Sequence, residues 1–406
     1  MTDRQVISRR RMLAAAVGAG LAAPLLTARA GWAAAPVGTP GAPGAAPGPG
    51  SGRLVLSAPT GPHPVGVVDL NLVDHAHLDP AAGPGRYREL PTSIWYPARD
   101  AHRHPQAPWM PDESLLAFIT DGGYPIGVSQ GPLTSGHVAA PVHRTGRGCP
   151  VLLYSHGAHS HRSDATLTVQ ELASHGYVVV TMDHTWDAFT RFRDGRVGTP
   201  WDNSYYPGSQ SFADDLRLVL DRIEDLAAGR NPDAGRRPLP DGLAEALDLD
   251  RVGLLGWSKG GAATALAMAA DPRVKAGLSL DGTMEPGITT DLDRPFMMMT
   301  ARFTRAADPH VAAFWARLKG WRLEVQAAGA VHTSYTDAQY LYPQLAKLTG
   351  LTDAQLQNLI GTLDPDRAVR IQQAYPLAFF DQHLRHRRSR LLEGPSAAFP
   401  EVAYLP

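Results

Sequence analysis

Two stretches of the chain, GVSQG at 127–131 and GWSKG at 256–260, place a serine between two glycines in the pattern G-x-S-x-G. That spacing suits nucleophilic catalysis. A serine hydroxyl becomes reactive when a sharp strand-to-helix turn projects it and a neighbouring imidazole takes its proton. With 40 glycines in 406 residues the pattern alone is weak, so the flanking residues must choose. Ser129 follows TDGGYPI and precedes Pro132, which opposes entry into a helix, so it reads as loop. Ser258 lies between the apolar run RVGLL at 251–255 and the small-residue segment GGAATALAM at 260–268. This order predicts strand, turn and helix around Ser258. Side chains at Gly256 and Gly260 would collide with the strand and helix that meet there.

A serine nucleophile needs a base and a group that orients the base. His332, in AVHTSY after an apolar run, is the expected base; His310 begins a helical segment, and His383 and His386 belong to a basic helix end expected in solvent. Asp281 closes the run GLSL and is the expected acid, with Asp308, in a loop beyond the next run, as the alternative. Asp250 and Asp271 read as surface positions. Two backbone N–H groups should bind the oxyanion. One belongs to Lys259, directly after the serine, and the other to Ala158 in the turn SHGAHSH at 155–161. His159 and His161 in that turn read as pocket wall rather than metal ligands, because no cysteine or carboxylate cluster accompanies them. Trp186, Trp257 and Tyr335 are candidate substrate-binding residues, and 101–148, 186–210 and 333–362 are candidate caps.

These residues require a scaffold that brings them to one edge. From 150 onward, short apolar runs alternate with helical patterns. The runs are at 150–156, 177–184, 251–257, 274–281, 295–301 and 321–328; the helices at 163–176, with Ser163 as candidate cap, 212–229, 259–270 and 310–320. Such alternation predicts an α/β fold: a doubly wound, mostly parallel sheet with helices on both faces. Upstream, VGVVDLNLVD at 65–74 and LPTSIWYPA at 90–98 have no helix between them and should pair antiparallel at the edge of the sheet.

Composition narrows the class. The chain is 44% hydrophobic and 19% charged with a formal net charge of −1, which offers no basic stripe for nucleic acid. Its single cysteine, Cys149, excludes an internal disulfide and reads as buried and inert. Residues 1–35 read as an export signal: SRRRML at 8–13, an apolar run at 14–26, and small residues permitting cleavage near Ala30 or Ala33. The paired arginines resemble a twin-arginine signal, which implies that export machinery as a partner and a secreted product. The Pro/Gly/Ala-rich stretch 36–52 reads as a linker, and 53–406 as one catalytic domain with capping loops.

The set APTGPHPVG, YSHGAHSHRSD, LASHGYVVVTMDHT, GWSKGGA, GLSLDG and AVHTSYTD resembles the bacterial branch of the platelet-activating-factor acetylhydrolase family. The resemblance implies an α/β-hydrolase fold, a Ser258–Asp281–His332 triad, oxyanion donors at Ala158 and Lys259, and no metal or cofactor. It also implies a carboxylic ester substrate, short-acyl or phospholipid, and transient contact with a lipid surface. Lys259 departs from the family's commonly apolar residue, and its ammonium is expected to favour an anionic substrate or to disfavour an apolar acyl pocket. The rival expectations are a cutinase-type polyester or triglyceride hydrolase, an amidase or peptidase, and a non-catalytic binding protein on the same scaffold.

Overall fold

The computed structural model describes residues 53–122, 131–144 and 146–406. Ser129 and the segments read as signal and linker lie outside the described residues. The strands, in chain order, are β1 (Val65–Leu78), β2 (Tyr87–Pro97), β3 (Gln106–Pro108), β4 (Leu133–Val138), β5 (Cys149–Ser155), β6 (Val178–Met182), β7 (Thr190–Arg191), β8 (Val197–Gly198), β9 (Leu247–Trp257), β10 (Val274–Leu280), β11 (Phe296–Thr300), β12 (Arg322–Ala327) and β13 (Val402–Leu405). The helices are α1 (Asp112–Asp121), α2 (Thr166–Ser174), α3 (Ser209–Ala227), α4 (Lys259–Ala270), α5 (Pro309–Arg317), α6 (Ala338–Thr349), α7 (Asp353–Ile360) and α8 (Pro365–Leu384).

Among the described residues the main sheet runs β13-β12-β11-β10-β9-β5-β6-β2-β1-β4-β3. Its centre, β12 to β6, is parallel throughout. Of these strands β5, β6, β10 and β11 are short and mostly apolar because both of their faces are covered, while β9 is apolar only toward its end and β12 alternates. In β5, Val151 and Leu153 pack with α3 and α4, while Leu152 and Tyr154 pack with α2 and α8. The same alternation divides Phe296 and Met298 from Met297 and Met299 in β11. Each fully buried aliphatic side chain of this kind contributes about 1.5–3 kcal/mol, and the two cores pin the register, since a one-residue slip would exchange their contents.

The α/β reading is therefore seen directly, with three differences. β1 and β2 pair antiparallel as expected, but they are not the edge: β4 and β3 continue the sheet beyond them, and β13 adds an antiparallel strand to β12 at the far side. These short outer strands carry too few residues to show a two-residue period. Ser163 does not cap a helix. Helix α2 begins at Thr166, and its first N–H groups, those of Thr166 and Leu167, donate instead to the carboxylate of Asp337, 171 and 170 residues away. Asp271 is buried rather than exposed, held by Arg273 at the end of α4. Asp250 is exposed as expected.

Candidate active site

The parallel centre decides where the reactive groups go. Residues following β5, β9, β10 and β12 all leave the same edge of the sheet, the carboxyl edge, where ligands of such sheets bind. Register puts Ser155 beside Gly256 and Trp257 beside Leu280, so the turns after β5, β9 and β10 lie side by side. Ser258 occupies the tight turn between β9 and α4 with φ 54°, a left-handed backbone that a side-chain-bearing residue rarely adopts. The turn closes because two glycines permit it. A Cβ on Gly256 would stand 2.2 Å from the Gly260 carbonyl oxygen, and one on Gly260 would stand 2.1 Å from that of Ser155.

Ser258, His332 and Asp281 come together although 74 and 51 residues separate the bonded pairs. His332 Nε2 lies 2.9 Å from Ser258 Oγ, and His332 Nδ1 lies 2.6 Å from Asp281 Oδ2. Asp281 is 0% exposed, and its Oδ1 accepts the backbone N–H groups of Ala301 and Phe303 at 2.8 and 2.9 Å. A carboxylate so filled accepts at Oδ2 as well. Nδ1 therefore carries the imidazole hydrogen and Nε2 offers its lone pair to the serine hydroxyl. Trp257 and Phe303 flank the ring, with centroids 4.9 and 5.3 Å away, and the Trp257 indole N–H donates to the His332 carbonyl at 2.8 Å.

Asp308, the alternative acid, is occupied elsewhere: it caps α5, accepting from the N–H groups of His310 and Val311. His383 is not in solvent as expected. It packs between Trp321 and Phe379, and burial, with His386 nearby, pushes its pKa down to about 4. His386 is exposed.

The turn after β5 is built tightly against Ser258. A Cβ on Gly157 would meet the Trp257 ring at 2.4 Å and Ser258 Cβ at 3.1 Å. His156 is wholly buried, and burial, with His184 beside it, holds its pKa well below the usual histidine range. Its Nε2 accepts the His184 backbone N–H, so Nδ1 donates to the Gly157 carbonyl, at 2.6 Å. The C=O and N–H of a trans peptide point in opposite directions. Anchoring the Gly157 carbonyl therefore turns the Ala158 N–H away from His156.

Below this turn lies a second Ser–His–Asp chain that sequence reasoning missed. Ser155 Oγ is 2.8 Å from His184 Nε2, and His184 Nδ1 is 2.9 Å from Asp215, which also takes a bidentate pair from Arg88. Ser155 and His184 are buried completely, so no substrate reaches them; they brace the end of β5. No sequence signal distinguished them from core residues.

A cavity of about 200 Å³ adjoins the site. Its wall includes Ala158, Trp257 and Thr333, the chain neighbours of the groups just described, together with Trp109, Phe118 and Leu341. Its outer side comes from Leu54, α1 and α6, which share a small apolar cluster of their own. His159 and His161 line this cavity, as expected of pocket-wall residues. Burial pushes His159 down to about 4, with Lys259 adding to the effect, and His161 down to about 3, with Arg162 adding to it. Two carboxyls go the other way. Burial raises Asp164, which also lines the cavity, to about 7, and Asp337, which receives the Trp109 indole N–H, to about 8.

Of the three candidate substrate-binding aromatics, Trp257 alone lines the cavity. Trp186 is turned away, its indole N–H donating to Asp79 at 2.8 Å and its ring set against Phe192. Tyr335 is 1% exposed and donates to the Thr300 carbonyl, so it is core. Lys259 also differs from expectation. Its ammonium is not offered to a ligand but is bound to the Asp187 carboxylate and to the Pro207 carbonyl, over the ring of Tyr206. Its charge is paired with Asp187, and Lys259 itself is not among the residues lining the cavity.

The fold and this geometry agree with what the chain is similar to. The family model for platelet-activating factor acetylhydrolase, isoform II, matches residues 50–190 and 237–391. The chain belongs to that family. It is 25% identical over 386 residues to a probable 1-alkyl-2-acetylglycerophosphocholine esterase of Arthroderma benhamiae, covering 87% of this chain and 94% of that one. It is 24% identical over 325 residues to platelet-activating factor acetylhydrolase of Cavia porcellus, covering 72% of each. Among solved structures it resembles a ferulic acid esterase from Streptomyces cinnamoneus, with a TM-score of 0.73, 29% identity, and coverage of 87% of this chain and all of the other. The α/β-hydrolase fold and ester hydrolysis are thereby established for this family member.

Proposed function

We propose that this esterase is exported and works through a serine acyl-enzyme on esters of compact acyl groups. The hydrogen-bonded series Ser258–His332–Asp281 carries the reading. Ser258 Oγ attacks the ester carbonyl while its proton passes to His332 Nε2. The carbonyl oxygen gains the negative charge and is bound by the N–H groups of Ala158 and Lys259. Asp281 stabilises the imidazolium, which gives the proton to the departing alkoxide as the C–O bond breaks. Water then attacks the acyl-enzyme with His332 again as base, releasing the acid and restoring the serine. A fluorophosphonate probe tests this. The label should fall on the peptide containing Ser258, and labelling of Ser129 instead would end the assignment.

The cavity supports a restricted acyl group. Its wall is largely carbon and aromatic, with Trp109, Phe118 and Trp257 offering flat faces. The acetyl esters named for the relatives and the aromatic acid named for the structural neighbour make the same demand: a small apolar or single-ring acyl group. On p-nitrophenyl acetate, butyrate and palmitate, with methyl ferulate as the aromatic member, kcat/KM should be high for the short and aromatic esters. It should fall at least about 100-fold for palmitate, since a chain too large for a cavity of about 200 Å³ must displace its packed walls, at a cost of about 1–3 kcal/mol. A preference for palmitate, or efficient release of monomer from a polyester film, would favour the cutinase-type rival. Exposed Leu116 and Val55, on the outer side of the same wall, support transient contact with a lipid surface.

Export rests on the residues at 8–35 alone. Replacing Arg9 and Arg10 together by lysine should leave the full-length protein inside the cell. Unchanged secretion of that variant would show that another route is used.

A further inference from the structure

Asp187 touches none of the groups in the Ser258–His332–Asp281 series, yet it joins the two segments that supply the proposed oxyanion donors. One carboxylate oxygen accepts the His159 backbone N–H at 2.9 Å, one residue beyond Ala158. The other accepts from the Lys259 ammonium. Lys259 is itself the second donor residue, so its side chain and its backbone N–H leave the same Cα.

The junction is buried: Asp187 is 0% exposed and the Lys259 side chain 11%. An ion pair in such surroundings loses much hydration and is retained only with its remaining bonds satisfied. Here they are satisfied. The ammonium donates to the Pro207 carbonyl at 2.9 Å and lies 3.9 and 5.0 Å from the ring centres of Tyr206 and Phe212. Burial lifts the Asp187 carboxyl and Lys259 pulls it part of the way back, leaving it at about 6. The backbone at the junction also needs holding. His159 and Trp186, on either side of the contact, have φ of 56° and 71°. Residues with side chains keep such conformations only where surrounding contacts impose them.

We propose that Asp187 and Lys259 act together as positioning residues that set the separation of the Ala158 and Lys259 N–H groups, so that the oxyanion site is assembled before substrate arrives. This rests on the reading of Ser258 as nucleophile. The pair does not touch the base, and it meets the cavity wall at His159 rather than at the apolar faces of Trp109, Phe118 and Trp257, so its loss falls mainly on the transition state rather than on substrate binding.

The test uses the full-length enzyme and the variants Asp187→Asn, Lys259→Gln, their combination, and Lys259→Arg. Each single change should lower kcat on p-nitrophenyl acetate by about 100-fold with KM within about threefold, the loss expected for a misplaced oxyanion donor. Binding of a trifluoromethyl ketone, whose adduct carries the same oxyanion, should weaken in proportion to kcat/KM. The combined variant should lose no more than the worse single one, because the pair acts as a unit. Lys259→Arg, which keeps charge and donors, should recover at least about tenfold. Folded variants whose kcat stays within about threefold, or whose loss is all in KM, would overturn the proposal. Should Asp187→Asn fail to fold, Lys259→Gln decides by the same criteria, since it removes the ammonium and with it the ion pair to Asp187. Activity surviving in Ser258→Ala would instead overturn the nucleophile assignment, whatever the pair does.

Discussion

Ser258→Ala is expected to lower kcat on p-nitrophenyl acetate by about 10⁴- to 10⁶-fold, with little change in KM or thermal stability. The hydroxyl oxygen is the only heavy atom removed. Its partner, His332 Nε2, remains held through Nδ1 by Asp281, and the turn keeps its backbone because the flanking glycines, not the serine side chain, permit it. What remains should be water attack assisted by the imidazole and the oxyanion donors, a small residue of the full rate. Steady-state kinetics beside a thermal melt separates this from misfolding. A folded variant retaining more than about 1% of the wild-type rate would require a different nucleophile.

Asp281→Asn should cost about 10⁴-fold in kcat, again in a folded enzyme. The introduced carboxamide would keep its oxygen toward the N–H groups of Ala301 and Phe303, which fixes its orientation. Its N–H₂ group then replaces the accepting oxygen facing His332 Nδ1. Two donors cannot face each other, so the imidazole moves its hydrogen to Nε2 and points it at Ser258. The base is lost without any change of shape. Asp308→Asn provides the contrast. Asparagine caps a helix about as well as aspartate, so α5 should keep its cap and kcat should stay within about twofold. If Asp308→Asn were the damaging change and Asp281→Asn harmless, the acid would have been misassigned.

Local features were legible in the chain itself. The strand–turn–helix around Ser258 could be read because an apolar run, two glycines and a small-residue helix are neighbours in sequence. Most of the central strands could be read because a sheet covered on both faces favours short, mostly apolar runs. The outer strands were harder: β3 and β13, with three and four residues, are too short for a period to show.

The candidate site divides in the same way. The amino-acid sequence determined that Ser258 sits on a turn at a strand end, and that Asp281 and His332 follow later strands, because these depend on neighbours within a few residues. Tertiary structure alone decided that Asp281 reaches the imidazole, that Trp186 and Tyr335 turn into the protein, and that Lys259 directs its charge to Asp187. Those outcomes join residues tens to hundreds of positions apart. Side chains so distant leave no periodic trace in the chain; only the register of the parallel strands brings them within bonding distance.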